Sequence, residues 1–442
     1  MATALGEPSL PIITLPRKVQ IEKQDNASLQ ELALSIVDEI VHVLTQPREE
    51  IENRYRGKHR LDAIPEAKEG RLTGPKSVLV LEPVPAPATI EEANTLFYER
   101  GWTDGLPIIP PTRALVDRAL EYTDRDPDEV IGVLPPRQGQ ATVRKIAANA
   151  VMAGCLPQYL PVVITAVEAM ADPAFGLAPL QATTNPGAPL AIINGPIVKE
   201  LDFNFSYNAL GQGRRANATV GRAIRLIMLN IGGGIPGTMD KAIQGGPAKY
   251  SWCVAENEDQ SPWPPLHVEK GFERQSSTVT LFAASSYQNF IGRGDARELL
   301  LLAAETMAIS GSNCQHIGAE ALLALNPGHA DCFAKAGYSK DDEKKFIFEH
   351  ARTPFSNHTT EWQKGWKTKH YRQDLVLEGD DPLVPVTDRW EDIVILVAGA
   401  WGVHGQFLPG FLPTSQTTIK PITRRDGTPI RSTADLKRAR SR

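Results

Sequence analysis

Between Ser251 and Glu269 the chain reads SWCVAENEDQSPWPPLHVE, which sets Glu256, Glu258, Asp259, His267 and Glu269 among Trp252, Trp263 and a cluster of prolines. Carboxylates and an imidazole on a stiffened loop under aromatic walls suit general acid–base chemistry. Prolines lower the entropy lost on ordering such a loop, so the groups can be held in place. Glu256 and Glu258 are the candidate proton carriers. The same loop offers His267 and Glu269 as ligands for a divalent cation, and mixed oxygen and nitrogen donors would favour Mg, Mn, Fe or Zn. No HExxH, paired CxxC or spaced His triplet accompanies them.

Further candidates are scattered along the chain. GWTDG at 101–105 puts Trp102, Thr103 and Asp104 between two glycines, where backbone and ligand can approach closely. Trp102 and Thr103 read as substrate-binding residues and Asp104 as an acid, base or anchor; the same residues equally suit a helix stop. Cys155, in NAVMAGCLPQYLP, precedes a predicted helix with Pro157 in its first turn, a place where a helix dipole can stabilise a thiolate nucleophile. GQGRRANATVGR at 211–222 brings Arg215 to a predicted helix start, a setting for an anion, although neither dinucleotide nor P-loop spacing is present. Asn185 in ATTNPG, Asn194 in INGP and His404 in AWGVHGQF border strand-like runs, where layered α/β proteins bind ligands.

These residues need elements to carry them. PLAIINGP at 189–196, STVTLFAAS at 277–285, ALLALNPG at 321–328 and DIVILVAGAWG at 392–402 read as buried strands, with the third equally able to end a helix. Helices are expected from Thr89 to Gly101, from Arg113 to Tyr122, over TVRKIAANAVMAGC, over QYLPVVITAVEAMA and from Ala296. Strands alternating with such helices make the fold class α/β, a layered mixed arrangement. The segments Asn194–Arg225 and Asn326–Arg352 echo each other as strand, Asn with Gly and Pro, loop and basic helix, which allows two similar strand-loop-helix halves.

Residues 1–75 read as an N-terminal arm, an amphipathic helix near 28–45 and a charged linker. Residues 76–425 form the main α/β body, with a subdivision near 270–280, and 426–442 a disordered basic tail. The length, 442 residues with 42% hydrophobic content, supports two or three domains of about 100 to 200 residues each. A net charge of −5 and pI near 6.0 give no field for nucleic acid. No run of about 18 apolar residues and no signal-peptide pattern appear, and four scattered cysteines suit a reducing compartment, so a cytoplasmic protein is expected.

GWTDGLPIIPPT, NAVMAGC, CVAENEDQSPW with PLHVEKGF, GHADCFAKAGYSKDDEKKFIFEHAR and LVAGAWGVHGQFLPGF together resemble a bacterial family associated with small selenocysteine or cysteine proteins that carry a UGSC motif. The resemblance spans about residues 89 to 425, and the helix near 28–45 is similar to the end of the small partner. It implies thiol- or selenol-linked redox chemistry on a small molecule, with the reactive centre on a separate small (seleno)cysteine chain, since no cysteine precedes that helix here. Three functions follow as expectations. The first is such a redox enzyme with a carboxylate acid/base. The others are a metal-assisted carbon–heteroatom lyase or hydrolase and a non-catalytic scaffold for a redox partner; a homo-oligomer is compatible with any of them.

Overall fold

The computed structural model describes residues 87–440 apart from 368–371 and 373–374, all within one unit spanning Gly74–Arg442. The arm, the helix expected at 28–45 and the linker lie outside the described residues. Helix α1 (Ile90–Glu99) starts where Thr89 and Glu92 form a reciprocal capping box. Strands β1 (Val130–Leu134) and β2 (Gly139–Thr142) form a hairpin ahead of two helices, α2 (Val143–Ala153) and α3 (Leu160–Ala171). Gly154, in the left-handed region, closes α2, as the sequence led one to expect of the split apolar run.

Strand β3 (Ala188–Asn194) is followed by α4 (Arg215–Asn230) and then β4 (Cys253–Ala255). A short helix, α5 (Leu266–Glu269), precedes β5 (Thr278–Ala284) and β6 (Gln288–Ile291). The second half repeats the plan. Helix α6 (Ala296–Met307) leads to β7 (Ala321–Leu325), α7 (Pro327–Lys335) and α8 (Lys340–His350). A small hairpin of β8 (Arg352–Pro354) and β9 (Leu383–Pro385) precedes β10 (Ile393–Val397), β11 (His404–Pro409) and β12 (Thr418–Pro421).

The two halves build two four-stranded sheets of the same design, ordered β12-β5-β3-β4 and β6-β11-β7-β10. In each, a strand pairs in parallel with its successor across a helical crossover, β3 with β4 and β7 with β10, and antiparallel with the next, β5 or β11. The edge strands are exchanged: β6 follows β5 yet joins the second sheet, and β12 follows β11 yet joins the first. The echo between Asn194 and Asn326 is therefore a repeat of topology, and each half completes the other's sheet. A cut near 270–280 would part β5 from β3, its longest neighbour.

Side-chain alternation explains the layering. Leu190 and Ile192 of β3 pack with Leu322, Ala324, Val394 and Leu396 of the second sheet, while Ala191 and Ile193 face α2, α3 and α4. Leu323, Leu325, Ile393 and Ile395 turn the other way, toward α6 and α8. The result is helix, sheet, sheet, helix, with strands buried on both faces and so read from sequence as unbroken apolar runs. Among the described residues no helix is long and apolar enough to cross a membrane.

Two expectations need correction here. The run 392–402 and the run 321–328 are strands for only their first part, because Pro327 opens α7 and Gly399, in the left-handed region, turns the chain after β10. The basic end is folded rather than disordered: Ile430 and Leu436 are buried in the first core, Glu200 accepts hydrogen bonds from the Thr433 amide and hydroxyl, and a helix, α9, covers Thr433–Arg440.

Candidate active site

Both parallel pairs end on the same side of their sheets as the loops that follow them, the usual place for ligands in open α/β folds. Asn194 is the last residue of β3, and Glu256, Asn257 and Glu258 leave β4 directly. The ladder continues one step past β4, since the Glu256 amide donates to the Ile193 carbonyl. Asn257 then ties the loop to the second half, with its amide on the Val397 carbonyl at 2.8 Å and its side-chain Nδ2 on the Gly399 carbonyl at 2.9 Å.

Asn194 joins the two carboxylates. Its Nδ2 donates to Glu256 Oε2 at 2.6 Å and to Glu258 Oε1 at 3.1 Å. Glu258 Oε1 also accepts from the Gly195 amide at 2.7 Å. Gly195 is required there, because its φ is +87° and a Cβ would stand 2.3 Å from the Ser276 carbonyl oxygen. Glu256 Oε2 accepts in addition from the Leu266 amide at 2.7 Å, which fixes the start of α5.

The remaining partners come from α5 and from α8 of the second half. His267, fully buried, points Nδ1 at Glu258 Oε1 from 3.9 Å and places Nε2 against the Arg274 carbonyl at 3.3 Å. Lys340, at the first turn of α8, donates to the Pro264 carbonyl at 3.1 Å, to Glu269 Oε2 at 3.3 Å, and lies 3.6 Å from Glu256 Oε1. Lys344 is paired with the same Glu269. Trp263 donates its indole N–H to the Tyr338 carbonyl at 3.0 Å, so the proline-stiffened loop is anchored on the turn before α8.

The two carboxylates at Asn194 differ in surroundings. Burial pushes the Glu256 carboxyl up from its ordinary range, and Lys340, the Leu266 amide and Asn194 only partly offset it. Glu258 keeps a fifth of its side chain open to solvent. Glu269 is also desolvated, yet Lys340 and Lys344 outweigh that and hold its carboxyl below the ordinary range. Glu343, one turn along α8, is fully buried without a hydrogen-bond partner for either oxygen, and burial raises it well above the ordinary range.

Of the residues singled out from sequence, Asn194, Glu256, Glu258 and His267 meet here, and Glu269 adjoins through Lys340. The others make their contacts elsewhere. Asp104 forms a two-pronged ion pair with Arg222 of α4, both bonds 2.8 Å, and also holds the Leu106 amide. Thr103 closes the same turn on the Leu106 carbonyl, and Trp102 packs edge-on against Phe97 with its carbonyl on Asn230. Arg215 donates to the Gly154 carbonyl. Asn185 shapes its own turn at Gly187, and His404 faces Asn289.

Of the two readings of Cys155, reactive thiolate or inert thiol, the surroundings favour the second. A short 3₁₀ turn at Pro157–Tyr159 separates it from α3, and burial pushes its thiol up to about 12 despite a hydrogen bond with Thr219 and the nearby Arg215 and Arg222. That direction favours the neutral thiol over a stabilised thiolate, although the residue as a whole is only half-buried. All four cysteines are free. The residues expected to ligate a metal have other partners: Glu269 is paired with two lysines while His267 turns to Glu258, and among the described residues no group of three or more His, Cys, Asp or Glu side chains could hold an ion.

Lys340, Lys344, Glu343 and Asn257 are the site-lining residues that the sequence did not single out. SKDDEKKF looks like a solvated charged helix start, and only its packing against the 256–269 loop reveals otherwise. No protein-family model matches the chain, and no curated protein matches it.

Proposed function

We propose that the chain is an enzyme that moves protons on a small polar molecule, with Glu258 as the carboxylate that meets the substrate and Glu256 as the proton-holding acid behind it. The observation that carries this reading is the single Asn194 amide that holds both carboxylates, of which Glu256 is fully buried and pushed up by that burial while Glu258 keeps a fifth of its side chain open to solvent. A buried carboxyl beside a solvent-reaching carboxylate is the arrangement that lets one hold a proton while the other takes one. Glu258 takes a proton from the substrate, with His267 Nδ1 3.9 Å behind it, and Lys340 limits the cost of ionising Glu256 when its proton is used.

The resemblance to the UGSC-associated proteins extends the proposal to thiol- or selenol-linked redox chemistry in the cytoplasm. On that extension the sulfur or selenium centre belongs to a separate small chain, because Cys155 is held neutral and its contacts are with α4. Glu258 then serves as proton acceptor for the incoming thiol or selenol.

The test is substrate-blind. The full chain is incubated with a small-molecule extract in D₂O, with and without a dithiol, and the mixture is followed by mass spectrometry. Enzyme-dependent deuterium uptake or conversion of a compound is expected, with loss in Glu258→Gln and a strong decrease in Glu256→Gln. Conversion that proceeds unchanged in both variants overturns the assignment.

A further inference from the structure

We infer that the group this site receives is a cationic nitrogen bearing N–H bonds, an ammonium, amidinium or guanidinium, seated against Glu258 between Asn194 and His267. The inference rests on Glu258 being the residue that meets the substrate. It starts from which hydrogen-bonding capacity is spent and which is not.

The donors are committed. The Asn194 amide serves both carboxylates, the Gly195 amide serves Glu258, and Lys340 serves Pro264 and Glu269. The unmet atoms are acceptors. Because Asn194 Nδ2 is fixed by two carboxylates, Oδ1 is the acceptor end, and it is buried without a donor. Asn257 Oδ1 is likewise without a hydrogen-bond partner.

His267 adds an independent constraint. A carbonyl can only accept, so the contact from Nε2 to the Arg274 carbonyl places a hydrogen on Nε2. Nδ1 lies 3.9 Å from Glu258 Oε1 and is buried without a hydrogen-bond partner. Charge points the same way: Glu269 holds both Lys340 and Lys344, and Asp259 holds Lys199. Glu258 keeps no lysine or arginine partner among the described residues, its one ion-pair contact being His267. A carboxylate or phosphate entering here would meet acceptors, whereas an N–H cation completes them.

The Gly195 amide, bonded to Glu258, is a direct reporter. The ¹⁵N-labelled full chain is titrated with methylguanidinium, methylammonium, tetramethylammonium and acetate while that amide is followed by NMR. Saturable shifts are expected with the first two and none with the last two, and Glu258→Gln should weaken binding by about tenfold or more. An equal response to tetramethylammonium, a saturable response to acetate, or no response to either N–H cation at about 100 mM overturns the inference. These wild-type titrations decide it even if the variant fails to fold. Failure leaves the acid–base proposal standing, because that proposal falls only if Glu258→Gln and Glu256→Gln keep full conversion.

Discussion

Lys340 Nζ stands 3.6 Å from Glu256 Oε1, so a cation of the second topological half is buried beside a carboxyl of the first. Both groups are buried, Lys340 at 6% side-chain exposure and Glu256 at none. Breaking such a pair by removing one partner costs far more than the pair contributes against an apolar substitute.

Lys340→Met is therefore expected to destabilise the protein by about 3 kcal/mol, since it takes one of the two cations from the desolvated Glu269 and the nearby cation from Glu256. Urea denaturation measures this. The Lys340→Met/Glu256→Gln double variant should recover part of the loss, and strict additivity of the two changes would show that they are uncoupled.

Glu343 gives a pH prediction with a definite sign. Its folded-state carboxyl is raised by burial above the ordinary 4.5, so the contribution it makes is fully present below 4.5 and is lost as pH rises through the folded value. Glu343→Gln should match the wild type near pH 4 and exceed it in stability near pH 8. A difference that is constant with pH, read from melting temperatures across that range, would contradict this.

Cys155 should be inert in the native state. With the thiol at about 12, the thiolate fraction at pH 8 is on the order of 10⁻⁴. Iodoacetamide at pH 8 should leave Cys155 unmodified in peptide mass spectra until denaturant is added, and Cys155→Ser should keep any conversion the wild type shows. Fast native alkylation would restore it as a nucleophile.

Asp104 is expected to matter for stability. Its side chain is 4% exposed and paired two-pronged with Arg222. Asp104→Ala should cost about 3 kcal/mol by stranding that guanidinium, and Asp104→Asn less, both measured by urea denaturation. Loss of conversion in Asp104→Asn with unchanged stability would return this residue to the chemistry.

Sequence alone determined the layered α/β class, the span of β5, most of β3 and the boundaries of α2 and α3, because apolar runs, caps and prolines act on near neighbours. It also brought forward Asn194, Glu256, Glu258 and His267, whose polarity at strand ends or on a stiff loop is visible without coordinates. Tertiary structure decided which of the scattered polar residues meet. Arg222 lies 118 residues from Asp104 and claims it for α4, while Lys340, 84 residues beyond Glu256, reaches the acidic loop from the other half. Local patterns report what a segment can bury; they carry no record of which distant charge will be buried beside it, and here that choice was made by the exchange of edge strands and the docking of α8 on the 256–269 loop.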